Sequence, residues 1–289
     1  MSQASIILCI YNEPLNLISE CIESLLNQEN ISYEIVIVDS SSSPYFKKFS
    51  LPSKVQYIYA PLEGLSAARN RGVRAAKNDI IAFIDADCIA DKQWLYQLCF
   101  PFEIDEKIAI CGGKVIPIWP RKPPFFSKSN YAKFAISTLS LGETPRTIGE
   151  NEMIVGANFA VKRRIIGSSD PFYTKLGRRD SKLLSGEETM LCQNVRRRGY
   201  KIFYTPKAIV YHKISPQKLT FKWMAERVFW GGVTRSVVGR KLLMSGKEIG
   251  GKGMTIYDIL YVALFSIPYM LGYSYGRMKD LFDVRKNDV

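Results

Sequence analysis

One histidine, His212, stands among the 289 residues. A chain with a single imidazole builds no multi-histidine metal site and has at most one histidine to serve as a base. No Cys-x-x-Cys pair occurs. The six cysteines (Cys9, Cys21, Cys88, Cys99, Cys111, Cys192) are scattered, several of them inside apolar runs. There they act as small hydrophobes, which excludes a zinc knuckle or disulfide framework and predicts reduced thiols in a cytosolic protein. The first apolar run is not followed by Gly-x-Gly-x-x-Gly, so a dinucleotide pyrophosphate seated on the first helix is not expected. Repeats and low-complexity tracts are missing beyond the serines at 40–43. Because the first residues lead straight into a strand, no secretory signal is expected.

What is present is a core and a strong charge. Hydrophobic residues make up 47% of the chain, enough for one large α/β domain with appendages. The formal charge is +13, with basic clusters at Lys162-Arg163-Arg164, Arg178-Arg179 and Arg196-Arg197-Arg198. Such a surface suits an anion, whether a nucleotide phosphate, a nucleic acid or a membrane face.

The stretch Ile80–Asp87 organises the rest. Its apolar start reads as a strand buried on both faces, and it ends in two carboxylates one residue apart, Asp85 and Asp87. Carboxylates this close in a dry site repel unless a cation sits between them. A hard divalent ion such as Mn2+ or Mg2+ fits oxygen ligands and usually accompanies a phosphate. Around this stretch, strands are predicted at Ser5–Ile10, Glu34–Val38 and Val55–Tyr59. Helices are predicted from Pro14 to about Gln28, over Leu65–Lys77, and from about Asp91 to Phe100. A stripe of Leu15, Ile18, Ile22, Leu25 and Leu26 marks the first helix. This alternation is that of a doubly wound, mostly parallel, Rossmann-like α/β sheet, in which ligands bind at the carboxyl ends of strands. Those ends carry Tyr11-Asn12-Glu13, Asp39 and Asp85/Asp87, while Arg69 and Arg71 add cations able to grip a diphosphate. Beyond them, Gly112-Gly113 and the prolines at 117–124 mark a break. Met153–Val161 reads as a strand holding Gly156, where a ligand or backbone can approach closely. Gly186-Glu187-Glu188 opens a helix to Arg198, and two short strands, Lys201–Tyr204 and Ala208–Tyr211, precede His212.

Taken in order, Ile-Tyr-Asn-Glu, Val-Asp-Ser-Ser-Ser, Ala-Ala-Arg-Asn-Arg-Gly, Asp-Ala-Asp, Gly-Ala-Asn-Phe-Ala, Gly-Glu-Glu and Val-Tyr-His resemble an inverting family 2 glycosyltransferase of GT-A fold. The resemblance covers about Ser5–His212. It implies a catalytic domain at 1–215, with a nucleotide-binding half at 1–112 and an acceptor-side half at 113–215. By the same resemblance, Tyr11, Asn12, Glu13, Asp39, Arg69 and Asp85 belong to nucleotide binding, Asp39 at the base, Asp85 at the ribose and Arg69 near the phosphates. Gly156, Ala157 and Asn158 line the donor sugar and acceptor side. Asp87 ligates the metal, with Asp85 and His212 as further candidates. Glu188 is the catalytic base, with Glu187 its rival, since the family usually carries Glu-Asp there. The implied reaction moves a sugar from a nucleotide sugar, a UDP-sugar first, to a hydroxyl of a glycan or lipid-linked acceptor in cell-surface polysaccharide or glycolipid synthesis. Nucleic acid is not an expected partner, because the acidic rim would repel it. The alternatives are a nucleotidyltransferase acting on sugar phosphates, which would want a Gly-rich basic loop after the first strand, and a basic nucleic-acid-binding protein.

From residue 216 the pattern fades into a helical arm (216–289). Phe221–Val233 is aromatic and basic, with Gly231-Gly232 read as an interruption. Ile259–Gly276 carries no charge, between Lys247 and Lys252 on one side and Arg277 and Lys279 on the other. Basic flanks on both sides disfavour a single crossing. The arm is therefore expected as a helix or broken hairpin lying on the cytoplasmic face of the cell membrane, ahead of a true span or a buried helix.

Overall fold

Apolar strands and amphipathic helices alternate through the first hundred residues, and the computed structural model joins them into one mixed sheet. The structure describes residues 3–46, 51–150, 152–167, 170–179, 182–238 and 254–287, with side chains to residue 279; Lys247 and Lys252 lie outside it. In chain order the elements begin with β1 (Gln3–Ile10), α1 (Leu15–Leu26), β2 (Ser32–Asp39), β3 (Val55–Tyr59), α2 (Leu65–Ala75) and β4 (Ile80–Asp85). There follow β5 (Cys88–Ala90), α3 (Trp94–Cys99), α4 (Pro101–Ile104), β6 (Ile108–Ile118), α5 (Asn130–Ala135) and β7 (Arg146–Thr147). The last are β8 (Asn158–Lys162), α6 (Arg163–Ile166), α7 (Glu187–Arg197), β9 (Lys201–Lys213), α8 (Phe221–Val238) and α9 (Ile256–Asn287).

The sheet order is β3-β2-β1-β4-β8-β6-β9-β5, with β7 pairing off β9. β3, β2, β1, β4, β6 and β9 run one way; β8, β5 and β7 run against them. The mostly parallel α/β sheet is therefore as expected. After β1 the chain turns to β2 on one side, then crosses over through α2 to β4 on the other. That reversal opens a crevice between the carboxyl ends of β1 and β4, the usual place for a ligand. Residues 80–84 of β4 are buried, as the apolar run requires. In α1, Ile18, Cys21, Ile22 and Leu25 form the buried stripe, while Leu15 is exposed at the helix start.

Several expectations need correction. Gly112-Gly113 do not break the chain but lie inside β6. A Cβ on Gly112 would strike Ile154, and one on Gly113 would strike the Ala208 carbonyl and the Asn158 amide, so glycine is required by close packing. The strand expected at Met153–Val161 starts only at Asn158, because residues 153–157 leave the ladder to pass beside Arg69. The two short strands around Pro206 are one strand, β9, whose register with β6 shifts at Gly113/Lys114. Residues 91–93 precede α3, and β5, a three-residue strand without a sequence signature, clips the segment after Asp87 to β9.

The arm is docked on the sheet domain. Gly231-Gly232 do not interrupt α8; Gly232 and Gly272 instead let α8 and α9 approach until a Cβ on either would strike the other helix's backbone. Asp258, at the start of α9, accepts hydrogen bonds from Ser129 Oγ (2.8 Å) and Asn130 N (2.8 Å), which ties α9 to the N-terminus of α5. Tyr261 and Phe265 face inward onto Phe126, Leu219 and Met224 in a second apolar cluster. No hairpin break occurs, since α9 runs continuously through Pro268. Its segment Ile256–Lys279 is long and apolar enough to cross a membrane, and only 22% of its most apolar window is buried.

Gly72 sets how closely α2 sits on β1, and so where Arg69, one turn earlier, is held: a Cβ at Gly72 would lie 2.6 Å from Ile7 Cγ2. Gly72→Val should therefore cost about 1–3 kcal/mol of stability, read as a lower urea midpoint. An unchanged midpoint would mean that α2 can back away freely.

Candidate active site

The crevice between β1 and β4 widens into a cleft of about 320 Å³. Tyr11 and Glu13 enter it from the loop after β1, Asp85 and Asp87 from the end of β4, Arg69 from α2, Gly156 from the loop before β8, and Glu187 and Glu188 from α7. Eight of the expected site residues, drawn from five places in the chain, thus meet around one space.

Arg69 holds them there. Its guanidinium is almost fully buried and donates to Glu187 Oε1 at 2.6 Å, to Asp85 Oδ1 at 3.3 Å and to the Gly156 carbonyl at 3.1 Å. It lies over the rings of Phe159 and Phe172, each 5.7 Å away. Gly156 is glycine for this reason: a Cβ there would come within 2.7 Å of Arg69 Nη2. Arg69 is therefore a tie between carboxylates. Arg71, the other expected cation, turns outward and pairs with Glu63.

With Glu187 bound to Arg69, Glu188 is the freer carboxylate. It is buried, its Oε2 has no hydrogen-bond partner, and it lines the cleft. Burial, reinforced by the negative charge of Glu187 and opposed by Arg69, pushes its carboxyl up to about 8. The helix opens at Gly186, whose φ of 95° allows the abrupt turn that points both glutamates inward.

Asp87 lies next to a second buried group. His212 Nε2 is 3.0 Å from Asp87 Oδ2, and Lys218 Nζ sits 2.9 Å from that oxygen and 3.2 Å from the same imidazole nitrogen. Burial alone would raise the Asp87 carboxyl, but Lys218 and His212 hold it well below the usual carboxylate range. Asp87, Cys88 and His212 bring one potential ligand atom each within 4.8 Å of one another. The carboxylate oxygen and imidazole nitrogen suit a divalent ion such as Mn2+. Lys218 Nζ occupies both atoms, so the donor set suits a divalent ion once that side chain moves aside. Asp85 is instead turned toward Arg69.

Five expected residues do not line the cleft, and His212, bonded to Asp87, is one of them. Asp39 is fully buried and accepts from Ser41 N, Tyr45 N and Tyr57 Oη, while its neighbour Ser40 lines the cleft. Asn12, at φ 57°, binds the facing serine loop: its N donates to Ser41 Oγ and its Oδ1 accepts from Ser42. Ala157 is buried, and Asn158 is a core bracket, donating to the Lys114 and Ala208 carbonyls and accepting from Trp94 Nε1. Sequence reading did not single out Lys218 at all. It placed Arg178 in a basic cluster and Arg227 in the aromatic, basic start of the arm, and did not name Lys182, yet all three line the cleft. Nothing in their sequence context separates them from cations of a solvated surface.

The model for glycosyl transferase family 2 matches residues 5–166. The chain belongs to that family. This family 2 transferase is 27% identical over 244 residues to a glucosyl-dolichyl phosphate glucuronosyltransferase of Haloferax volcanii, covering 82% of this chain and 77% of that one. It is also 27% identical over 285 residues to a probable glycosyltransferase, YdaM, of Bacillus subtilis, covering 94% of this chain and 63% of the relative. Among solved structures, GalNAc-T7 crystallised with UDP, GalNAc and Mn2+ aligns at a TM-score of 0.57 and 16% identity, a likeness of fold. The alignment covers 92% of this chain, which spans 57% of that protein.

The raised carboxyl of Glu188 carries a linkage. The folded transferase holds this proton more tightly than the unfolded chain, so its contribution to stability is complete below the ordinary value of 4.5 and is lost as pH rises toward about 8. Glu188→Gln, which cannot titrate, should gain stability relative to the parent as pH is raised from 5 to 8. Thermal unfolding of both proteins across that range checks this; parallel curves would show that Glu188 titrates normally.

Proposed function

We propose that this transferase moves a sugar from a nucleotide-sugar donor, a UDP-sugar first, to a hydroxyl of a glycan or lipid-linked acceptor, with inversion and with a divalent metal. The observation that carries this reading is Glu188: a buried carboxylate whose Oε2 has no hydrogen-bond partner and which shares one cleft with Asp85 and Asp87. A crystal structure of the same fold that contains UDP and Mn2+ supports the donor and the metal. A relative named for a dolichyl phosphate substrate supports the lipid-linked acceptor.

In this mechanism the Glu188 carboxylate takes the proton of the acceptor hydroxyl. The hydroxyl oxygen attacks the anomeric carbon from the face opposite the nucleotide, and the bond to the diphosphate oxygen breaks with its electron pair leaving on phosphate. A carboxylate whose pKa lies near the working pH is a stronger base than an ordinary one. Glu187 and Arg69 position it, since their ion pair fixes the first turn of α7. Asp87 and His212, with Asp85 nearby, would hold a Mn2+ or Mg2+ ion, which when bound supplies positive charge for the leaving diphosphate. Arg178 and Lys182 on the facing loop add fixed positive charge to the same side. The uncharged stretch Ile259–Gly276 of α9, with Ile259, Ile267 and Leu271 exposed, supports attachment to the cytoplasmic face of a membrane, within reach of a lipid-borne acceptor.

Glu188→Gln should lower turnover by about 10²–10⁴-fold, while UDP with Mn2+ still raises the melting temperature. If Glu187→Gln is the dead variant and Glu188→Gln stays active, the base is Glu187. Asp87→Ala should abolish UDP-dependent Mn2+ binding, followed by electron paramagnetic resonance, and metal-dependent transfer with it. Undiminished Mn2+ binding in that variant would remove Asp87 from the metal site.

A further inference from the structure

A second cavity, of about 400 Å³, opens beside the cleft between α5 and the residues just after it, the start of α7 and the α8–α9 pair. Its walls are largely apolar: Phe134, Val155, Val228, Tyr261, Phe265 and Met270 are among them. Ser137, Ser185, Glu188 and Arg227 line both spaces, so the groove continues directly into the catalytic cleft at its acidic end. At the other end its lining includes Val262 and Met270, which are 43% and 58% exposed on α9. These lead to the outward-facing Ile259, Ile267 and Leu271.

Arg227 stands at the junction. Its guanidinium donates to the Ala135 and Leu183 carbonyls (3.2 Å each), and among the described residues it forms no ion pair with a carboxylate. Burial, together with the nearby positive charge of Arg178, makes its charge costly and draws it down to about 10. A half-buried guanidinium held by two neutral carbonyls, lining the junction of both spaces, is matched by an anion.

Resting on the transferase reading above, we infer that this groove binds the hydrocarbon tail of a single-tailed lipid phosphate, the acceptor or its lipid carrier, with Arg227 taking the phosphate. The order of groups along the space fits such a molecule: Glu188 beside the accepting hydroxyl, Arg227 at the phosphate, the apolar walls around the tail, and the exposed face of α9 where the tail leaves for the bilayer. A soluble glycan would leave the apolar walls bare and the cation at the junction unmatched.

Gly231 provides a clean test, because it lines the groove and a Cβ there meets no atom within 4 Å. Gly231→Leu should therefore fill the groove without disturbing α8. With the full chain and no detergent, calorimetry would compare geranyl monophosphate, inorganic phosphate and geraniol. The parent should bind geranyl monophosphate at least tenfold more tightly than either control. Gly231→Leu should lose about tenfold for geranyl monophosphate while keeping its melting temperature and its stabilisation by UDP with Mn2+. Arg227→Gln should reduce geranyl monophosphate to the level of geraniol. Equal binding of geranyl and inorganic phosphate by the parent, or unchanged binding by both variants, would overturn the inference. So would a Gly231→Leu defect confined to attachment to phosphatidylglycerol vesicles, which would make the face a bilayer contact. Absence of UDP stabilisation in the parent, with the geranyl pattern intact, would count against the nucleotide-sugar reading and still support the groove.

Discussion

A single buried guanidinium fixes the geometry of this transferase. Arg69 stands where the end of β4, the loop before β8 and the first turn of α7 converge, and it bonds to one group from each. Taking a guanidinium out of water is expensive, and only close carboxylates and a carbonyl offset that cost. The same bonds keep two like-charged side chains, Asp85 and Glu187, in one cleft without mutual repulsion deciding their positions. With Glu187 tied to Arg69, Glu188 is the less constrained of the two glutamates.

Close approach by small residues makes this arrangement possible. Gly72 lets α2 sit on β1, Gly156 leaves room for the guanidinium itself, and Gly113 lets the Asn158 amide reach two carbonyls across the sheet. These positions are fixed by contact with backbone or buried groups that have no space to yield. The resulting cleft is lined by charges of both signs: Asp85, Asp87, Glu187 and Glu188, and also Arg178, Arg179 and Lys182 from the loop that Gly177 and Ser66 hold over the start of α2.

The arm completes the site. The turn before α8 delivers Lys218 to Asp87 and His212, and α8 delivers Arg227 to the edge of the cleft. α9 covers α8 from outside and shows solvent an apolar face. The arm thus supplies side chains to the Asp87 cluster and to the cleft edge, and its packed helices α8 and α9 leave an apolar face exposed.

The linear order of residues was enough to establish the parallel α/β sheet, because an apolar run ending in acids has few other physical outlets. It also singled out three carboxylates that fold into one cleft: Asp85 and Asp87 by their place at a strand end, and Glu188 by the family resemblance. It could not reveal that Asn158 is a core bracket, that Asp39 is sealed beneath the rim, or that Gly112-Gly113 continue a strand. Each of those depends on which atoms lie opposite across the sheet. Nor could it separate Lys218 and Arg227 from the other 38 lysines and arginines. A cation acquires a role only when folding removes its water and leaves it facing a particular acid, or none, and only the tertiary packing decides that.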